Sequence, residues 1–319
     1  MNEAIARTRL AVRQLLADPR ARTGEGLAVA VSGGADSLAL AAAAEHEAHR
    51  RGLGVRGLIV DHGLQPGSAE VAEVTAKQLH ELGLDEVRVL PVTVAGPGGP
   101  EAAARRARYQ ALQANAAGLV LLGHTRDDQA ETVLLGLGRG SGPRSIAGMR
   151  ELDPPWARPF LDVPRETTVR ACAALGLEPW TDPHNADPRF TRVRLRTEVL
   201  PLLEDVLQQG VAGALARTAR QLQDDTDALD TLAAELLDRA RAGADLVVET
   251  LATAPKALRR RALRAWLLDA GAKELTDAQL RSVDALIGEW RGQGGVWLPG
   301  GLEASRAHGR LRVGTARES

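Results

Sequence analysis

Four short apolar runs separated by helical stretches constrain this chain more than any other feature. Leu27–Val31, Val55–Val60, Val87–Val92 and Leu119–Leu122 read as strands. The intervening segments, about 36–51, 68–82, 100–116 and 126–137, carry helical periodicity. Strands that alternate with helices of ten or more residues require crossover connections. Those connections predict a doubly wound, mostly parallel α/β sheet with helices on both faces. Prolines 154, 155, 159 and 164 bracket a fifth candidate strand near Ala157–Leu161, and a helix follows at Arg165–Leu175.

From Thr191 onward the pattern changes to long helical segments at 191–208, 211–241, 255–270 and 276–291. Short β-like runs appear only at Leu246–Glu249, Val296–Leu298 and Leu311–Val313. A chain of 319 residues is about twice the usual single-domain length, so two domains are expected. The boundary is placed at the composition shift near Gly210. A catalytic domain would then occupy 1–210, and a smaller, mainly helical domain would occupy 211–319.

Charge and cysteine usage exclude several classes. Forty basic residues against forty-one acidic ones rule out a uniformly basic nucleic-acid coat protein, although a local basic face is allowed. The single Cys172 leaves no intramolecular disulfide, cysteine-rich zinc site or cysteine-ligated iron–sulfur cluster. It also fits a reducing compartment. The N-terminal twenty residues form an amphipathic pattern without a signal-peptide core, and a cytoplasmic location is expected. Lysines occur only at 77, 256 and 273, so nearly every cation is an arginine. Arginine is therefore weaker evidence for phosphate binding here than it would be in a lysine-rich chain.

Ser32-Gly33-Gly34-Ala35-Asp36-Ser37 lies between the first strand and its helix. Glycines allow close backbone approach, and a helix N-terminus offers unpaired N–H groups with partial positive charge, so the segment suits an anion. Asp36 would repel a phosphate unless a cation such as Mg²⁺ lay between them. The plainer alternative is a capped strand-to-helix turn. No Gly-Lys-Ser/Thr closes a Walker A loop, and the Gly136–Gly142 run follows a helix, so it reads as a flexible loop.

After the fourth strand come His124, Asp127, Asp128 and Glu131, with spacings that let the carboxylates share a helix face. Thr125-x-x-Asp128 is also a capping pattern. Asp61-His62 closes the second strand at the same sheet edge, where open α/β folds bind ligands. Further on, Arg189, Arg192 and Arg196 would share one helical face, with Arg194 to the side. A second basic cluster holds Lys256, Arg259, Arg260, Arg261 and Arg264. Both clusters suit phosphate contacts, and both could equally be solvated faces.

The ordered set SGGADS, VDHGLQPGS, EAAARRARYQAL, LGHTRDDQAETVLL, RGSGPRSIAGM, RPFLD and DPHNADPRFTRVRLRTEVLPLL resembles the tRNA(Ile)-lysidine synthase family of PP-loop ATP pyrophosphatases over about 25–205. KALRRRALRAWL, LTDAQLRSVDAL and VWLPGGLEASR resemble that family's smaller second domain, in its shorter form without a further C-terminal domain. Two positions depart from the family pattern. Val193 separates Arg192 and Arg194 where Arg-Asn-Arg is usual, and Gly136 stands where a basic residue is common.

The resemblance implies ATP-dependent adenylation of the wobble cytidine of tRNA(Ile) with anticodon CAU. Free L-lysine then attacks, with release of AMP and pyrophosphate. It implies ATP contacts at Ser32, Gly33, Gly34, Ala35, Asp36, Ser37, Asp61 and His62, and chemistry at Asp36, His124, Asp127, Asp128 and Glu131. Taken with the residue readings above, it leads to the expectation of Mg²⁺ at Asp36 and Asp128, and of tRNA contacts at Arg189, Arg192, Arg194, Arg196, Arg259 and Arg260. The base that deprotonates lysine stays open between a carboxylate and His124, and a homodimer stays open as an assembly. The rival readings are a PP-loop thiolation enzyme, which the lone cysteine opposes, a small-molecule amidotransferase, which would need an ammonia-producing domain or partner, and a non-catalytic nucleotide- or RNA-binding protein.

Overall fold

The computed structural model describes residues 2–315 apart from 22, 25, 64, 66, 98, 117 and 141. It divides into two compact units, Met1–Leu222 and Gln223–Ser319.

In the first unit α1 (Glu3–Ala17) precedes β1 (Leu27–Val31), α2 (Ala35–His49), β2 (Val55–Asp61), α3 (Ser68–Glu81) and β3 (Glu86–Pro91). Then come α4 (Gly99–Asn115), β4 (Leu119–Leu122), α5 (Arg126–Arg139) and the short α6 (Pro143–Ile146). The six-stranded sheet has the order β3-β2-β1-β4-β6-β5, where β5 is Leu152–Asp153 and β6 is Trp156–Ala157. All neighbours pair in parallel except the β5–β6 hairpin. The expected fifth strand is thus shorter and earlier than 157–161. It ends at Ala157, and Arg158–Leu161 turn away as a loop towards α7 (Arg165–Leu175).

Alternation along β1 explains the layering. Leu27, Val29 and Val31 belong to the larger core with α1, α2 and α7 residues such as Val12, Leu38 and Cys172. Ala28 faces the other side, where Leu58, Val120, Leu122 and Leu112 of α4 form a smaller core bordered by Tyr109 and Trp156. Strands buried on both faces read as continuous apolar runs, which is why β1, β2 and β4 were visible in the sequence. β3 lies at the sheet edge with no fully buried residue, and its Val-x-Val-Leu alternation is what marks it as a strand.

The glycine run after β4 behaves differently from the loop expected. α5 continues to Arg139 and carries Gly136 buried against the α6 segment, where an added Cβ would overlap the Ser145 carbonyl. Close helix packing, not looseness, accounts for that glycine. A 3-10 turn (Pro183–Ala186), α8 (Thr191–Arg194), a π-turn (Leu195–Val199) and α9 (Leu200–Leu207) follow. Val193 is buried at the base of α8, so the departure at this position fills the core.

The composition shift near Gly210 marks the start of α10 (Val211–Ala240), and the division between the units falls inside that helix. The second unit holds β7 (Arg241–Ala242), β8 (Asp245–Val247), α11 (Val248–Ala252), α12 (Lys256–Asp269) and α13 (Asp277–Gly288). β9 (Val296–Leu298), β10 (Leu302–Ala307) and β11 (Arg310–Thr315) complete an antiparallel sheet of order β7-β8-β11-β10-β9. Its helices pack on that sheet around Trp266, Leu263, Leu286, Leu246, Leu311 and Ala304. The expected strand at Leu246–Glu249 gives way to a helix at Val248. β10, with the sequence LEASRA, had too few large apolar residues to register as a strand. Among the described residues no helix is long and apolar enough to cross a membrane.

Candidate active site

β1 and β4 are neighbours, yet β1 leads on to β2 on one side and β4 leads on to β6 on the other. Loops leaving their carboxyl ends therefore diverge and open a crevice at the switch point. Both chemistry-bearing motifs sit there.

The Ser32–Ser37 segment is held as a tight turn. Gly33 has φ +82°, and a Cβ there would lie 2.7 Å from Thr75 Oγ1, so both conformation and space call for glycine. Its carbonyl accepts from the Trp180 amide at 2.9 Å. Ser37 Oγ accepts from the Ser32 amide at 3.1 Å and donates to the Gly34 carbonyl at 2.9 Å. Gly34 caps α2 without a side-chain hydrogen bond, and Ala35 opens the helix. From β4, Gly123 packs so closely that a Cβ would lie 3.1 Å from the Asp36 carbonyl and the Ser37 amide. The two motifs are thereby locked in register.

Asp36, Asp128 and Glu131 converge on Arg165, a residue that sequence reasoning passed over. Arg165 Nε lies 3.2 Å from Asp36 and Nη2 lies 2.6 Å from Asp128, while Nη1 lies 3.8 Å from Glu131. Asp36 also accepts from the Thr168 hydroxyl, which together with Arg165 comes from α7. Asp128 accepts from both the Thr125 amide and the Thr125 hydroxyl at 2.8 Å. It therefore caps the start of α5 and at the same time belongs to the carboxylate cluster around Arg165. Glu131 is 0% exposed and accepts from Arg196 Nε at 2.8 Å, but its Oε2 has no hydrogen-bond donor.

The electrostatics divide these carboxylates. Burial pushes Asp36 and Glu131 above the ordinary range, and Arg165 or Arg196 offsets only part of that cost. Asp128 is buried too. There the charge of Arg165 and the Thr125 donors outweigh burial and hold it below the usual carboxylate value. For Arg165 burial opposes the charge, and Asp128, Asp36 and Glu131 more than compensate, so it stays cationic. His124 is pushed down to about 3, chiefly by burial, and is neutral at physiological pH.

The other sequence candidates fall into three groups. Asp127 accepts from the Arg165 amide at 2.9 Å and so anchors α7 rather than joining the cluster. Asp61 accepts from the Gly63 amide at 2.9 Å, and the His62 Nδ1 beside it is buried without a partner. Among the arginines, Arg192 and Arg196 do share a helical face. That face points at the carboxylates, with Arg192 Nη1 lying 3.7 Å from Glu131. Arg189 precedes the helix and pairs with Asp187 at 2.6 Å, while Arg194 pairs with Glu198 at 2.9 Å, both at the surface.

Arg259 reads differently from the sequence expectation. Its side chain is 6% exposed and bound to Asp284, which also accepts from Arg260 at 2.9 Å. A guanidinium held in a buried pair has no face for phosphate, so Arg259 supports the fold of the second unit instead.

The metal assignment also meets a different environment. Among the described residues no group of three or more His, Cys, Asp or Glu side chains could hold a metal ion. Arg165 occupies an oxygen of Asp36 and an oxygen of Asp128, in the place a bridging cation would take. As they stand, these donors do not fit a shared Mg²⁺. Cys172 is inert as well, since its thiol donates to the Ala35 carbonyl at 3.3 Å and burial pushes its pKa up to about 12.

Comparison with known proteins follows the same division of the chain. Residues 5–203 match the PP-loop domain model, and residues 246–312 match the TilS substrate binding domain. A tRNA(Ile)-lysidine synthase of Nocardia farcinica is 62% identical over 311 residues, covering 96% of each chain. One from Mycobacterium tuberculosis is 58% identical over 282 residues, covering 87% of this chain and 86% of its own. Among solved structures, a U34-tRNA thiolase from Methanococcus maripaludis with its [4Fe-4S] cluster is similar at a TM-score of 0.55. It is 18% identical and covers 69% of this chain and 80% of its own, a likeness of fold alone. With both domain models matched and relatives of this identity along nearly its whole length, the chain belongs to the tRNA(Ile)-lysidine synthase family.

Proposed function

We propose that this chain is a ligase that converts the wobble cytidine of tRNA(Ile) with anticodon CAU to lysidine. The observation that carries the reading is the meeting, at one sheet edge, of an anion-binding turn with buried carboxylates suited to an amine. ATP transfers its adenylyl group to the C2 oxygen of the cytosine, and pyrophosphate leaves. The ε-amine of free L-lysine forms a bond to C2, and the C2–O bond breaks with AMP as the leaving group.

The turn Ser32–Ser37 offers backbone N–H groups at the N-terminus of α2 for the departing pyrophosphate. Lysine arrives as an ammonium and must lose a proton before it attacks. Glu131 Oε2 is the acceptor that fits: it is buried, lacks a donor, and belongs to a carboxyl whose pKa burial raises. His124 is a poorer base because its pKa is held so low. Asp128 and Asp36 fix the surrounding charge through Arg165. Mg²⁺ enters in this reading as the counterion of ATP's phosphates, and the enzyme acts in the cytoplasm.

Thiolation is disfavoured by the lone, buried Cys172. A passive RNA binder gives no reason to bury carboxylates beside a phosphate-type turn. The test is incubation with labelled lysine, ATP and bulk tRNA, followed by nucleoside analysis. Label in a single modified cytidine at the wobble position of tRNA(Ile) is expected. Absence of label from RNA under conditions of full ATP and tRNA binding would overturn the proposal.

A further inference from the structure

The segment 178–184, which follows α7, gives no group to the carboxylate cluster, yet it lies across the turn at 32–37. The Trp180 amide donates to the Gly33 carbonyl at 2.9 Å. The contact is close, since a Cβ added to Gly33 would lie 3.6 Å from the Trp180 Cβ. Val71 and Thr75 of α3 close on the same glycine. That hydrogen bond governs more than the carbonyl. The Gly33–Gly34 peptide is planar and trans, so the Gly33 C=O and the Gly34 N–H point in opposite directions. Holding the carbonyl from the side of Trp180 fixes the Gly34 N–H facing away from it. No acceptor among the described residues takes that N–H. It stands at the N-cap of α2, where an unpaired donor and the helix dipole both favour an anion.

Side chains fasten this strap at both ends. At its start Gln78 of α3 bonds Glu178 twice, with Nε2 donating to the carbonyl at 3.2 Å and Oε1 accepting from the amide at 2.9 Å. At its end Asp182 Oδ1 accepts from the His184 amide at 2.8 Å and from Gln65 Nε2 at 3.0 Å. Gln65 Nε2 also donates to His184 Nδ1 at 2.6 Å. Gln65 belongs to the loop between β2 and α3, and no other side-chain hydrogen bond of that loop reaches the strap among the described residues. Pro179 and Pro183 flank the Trp180–Asp182 stretch, and each fixes its own φ, which limits the freedom the segment loses on ordering. The Trp180 amide is therefore held between two fastened points.

We propose that the Gln65–Asp182 hydrogen bond latches this strap and that Asp182 is a positioning residue. Through the strap and the Gly33 carbonyl it aims the Gly34 N–H at the departing pyrophosphate. The inference deepens the proposed function and rests on it for the identity of the anion. Donors already in place when charge develops cost no reorganisation, which is what a latched strap provides. With the latch open, the Gly33–Gly34 peptide is freer to rotate and to turn its carbonyl oxygen towards the phosphate.

The latch uses one acceptor oxygen of Asp182 and not its charge, because both printed donors are neutral amides. An asparagine keeps that oxygen. A direct ligand of a metal ion or of lysine would instead depend on the charge, and this difference separates positioning from contact.

The experiment measures binding of inorganic pyrophosphate and of ATP to the full chain, to Asp182→Ala, Asp182→Asn and Gln65→Ala, and to the double variant with both alanines. Asp182→Ala is expected to weaken both ligands roughly tenfold, the scale of one or two lost hydrogen bonds, while the KM for lysine at saturating ATP stays unchanged. Asp182→Asn should return binding to within about twofold of wild type. Gln65→Ala should weaken binding in the same direction, and the double variant should be no worse than Asp182→Ala, because both substitutions cut one bond. Asp182→Asn binding as weakly as Asp182→Ala would overturn the proposal in favour of a charge contact. Additive losses in the double variant would overturn it too, as would wild-type pyrophosphate binding by Asp182→Ala. If Asp182→Ala does not fold, Gln65→Ala cuts the same bond from the other side and carries the test. Pyrophosphate binding needs neither lysine nor RNA. A chain that shows these binding losses but makes no lysidine would uphold the latch and reject the function. A lysidine-forming chain without them would do the reverse.

Discussion

The Arg165 guanidinium lies between Asp36 of the phosphate-type turn and Asp128 of α5, 3.2 Å from one and 2.6 Å from the other. One side chain from α7 thus joins the loops of two neighbouring strands. Removing it leaves two buried carboxylates facing each other. Arg165→Met should destabilise the first unit by about 3 kcal/mol, the usual cost of breaking a buried pair. Adding Asp36→Asn to Arg165→Met should restore part of the melting temperature without restoring activity. A wild-type melting curve for Arg165→Met would show that the pair is solvated and energetically idle.

A second expectation concerns pH. Burial raises the Glu131 pKa, so in the folded enzyme this carboxyl takes up a proton above the ordinary glutamate range. As the base, it must be ionised, and activity is lost as pH falls through its folded value. The acid limb of kcat/KM for lysine should therefore lie above the ordinary glutamate range. His124, held near 3, stays neutral throughout that window, and His124→Gln should lower the plateau without moving the limb. A limb that shifts with His124→Gln would transfer the base role to the histidine.

Gly136 supplies a steric test. Because a Cβ there would overlap the Ser145 carbonyl, Gly136→Ala should cost about 1–3 kcal/mol despite alanine's better helix propensity. A basic residue at this position, as the family pattern has it, would need α6 to move away. Unchanged or higher stability of Gly136→Ala would mean the α5–α6 packing yields freely.

Arg259 separates a structural role from an RNA-binding one. Arg259→Gln leaves Asp284 buried with only Arg260, and should lower stability by about 3 kcal/mol or more. At temperatures where the variant is folded, tRNA binding should keep the wild-type salt slope, because this guanidinium neutralises no phosphate. A flattened slope with an unchanged melting temperature would restore Arg259 to the RNA interface.

These tests fall where sequence and structure part company. The parallel sheet was legible because doubly buried strands are continuous apolar runs, and Leu119–Leu122 needs no context to read that way. Asp36, Asp128 and Glu131 were legible because each follows a strand end. Arg165 was not. It lies far along the chain from Asp36 and opens a helix behind Pro164, with no motif of its own. The one signal was chemical: three clustered acids in a fold core require a cation. The direction of Arg192 and Arg196 was also hidden, since helical spacing defines a shared face but not its partner. Arg259 looked like a basic patch because Asp284, its counterion, comes from the next helix.

The most direct test of the account is the fate of ATP in Glu131→Gln supplied with tRNA(Ile) and lysine. If the turn at Ser32–Ser37 serves adenylation and Glu131 serves the amine, the variant should still release pyrophosphate in a tRNA-dependent burst. Lysidine should fall by roughly a hundredfold or more, on the order expected for a lost general base. Adenylated tRNA should accumulate in its place. Pyrophosphate release and lysidine falling together, or ADP appearing as the product, would contradict the division of labour.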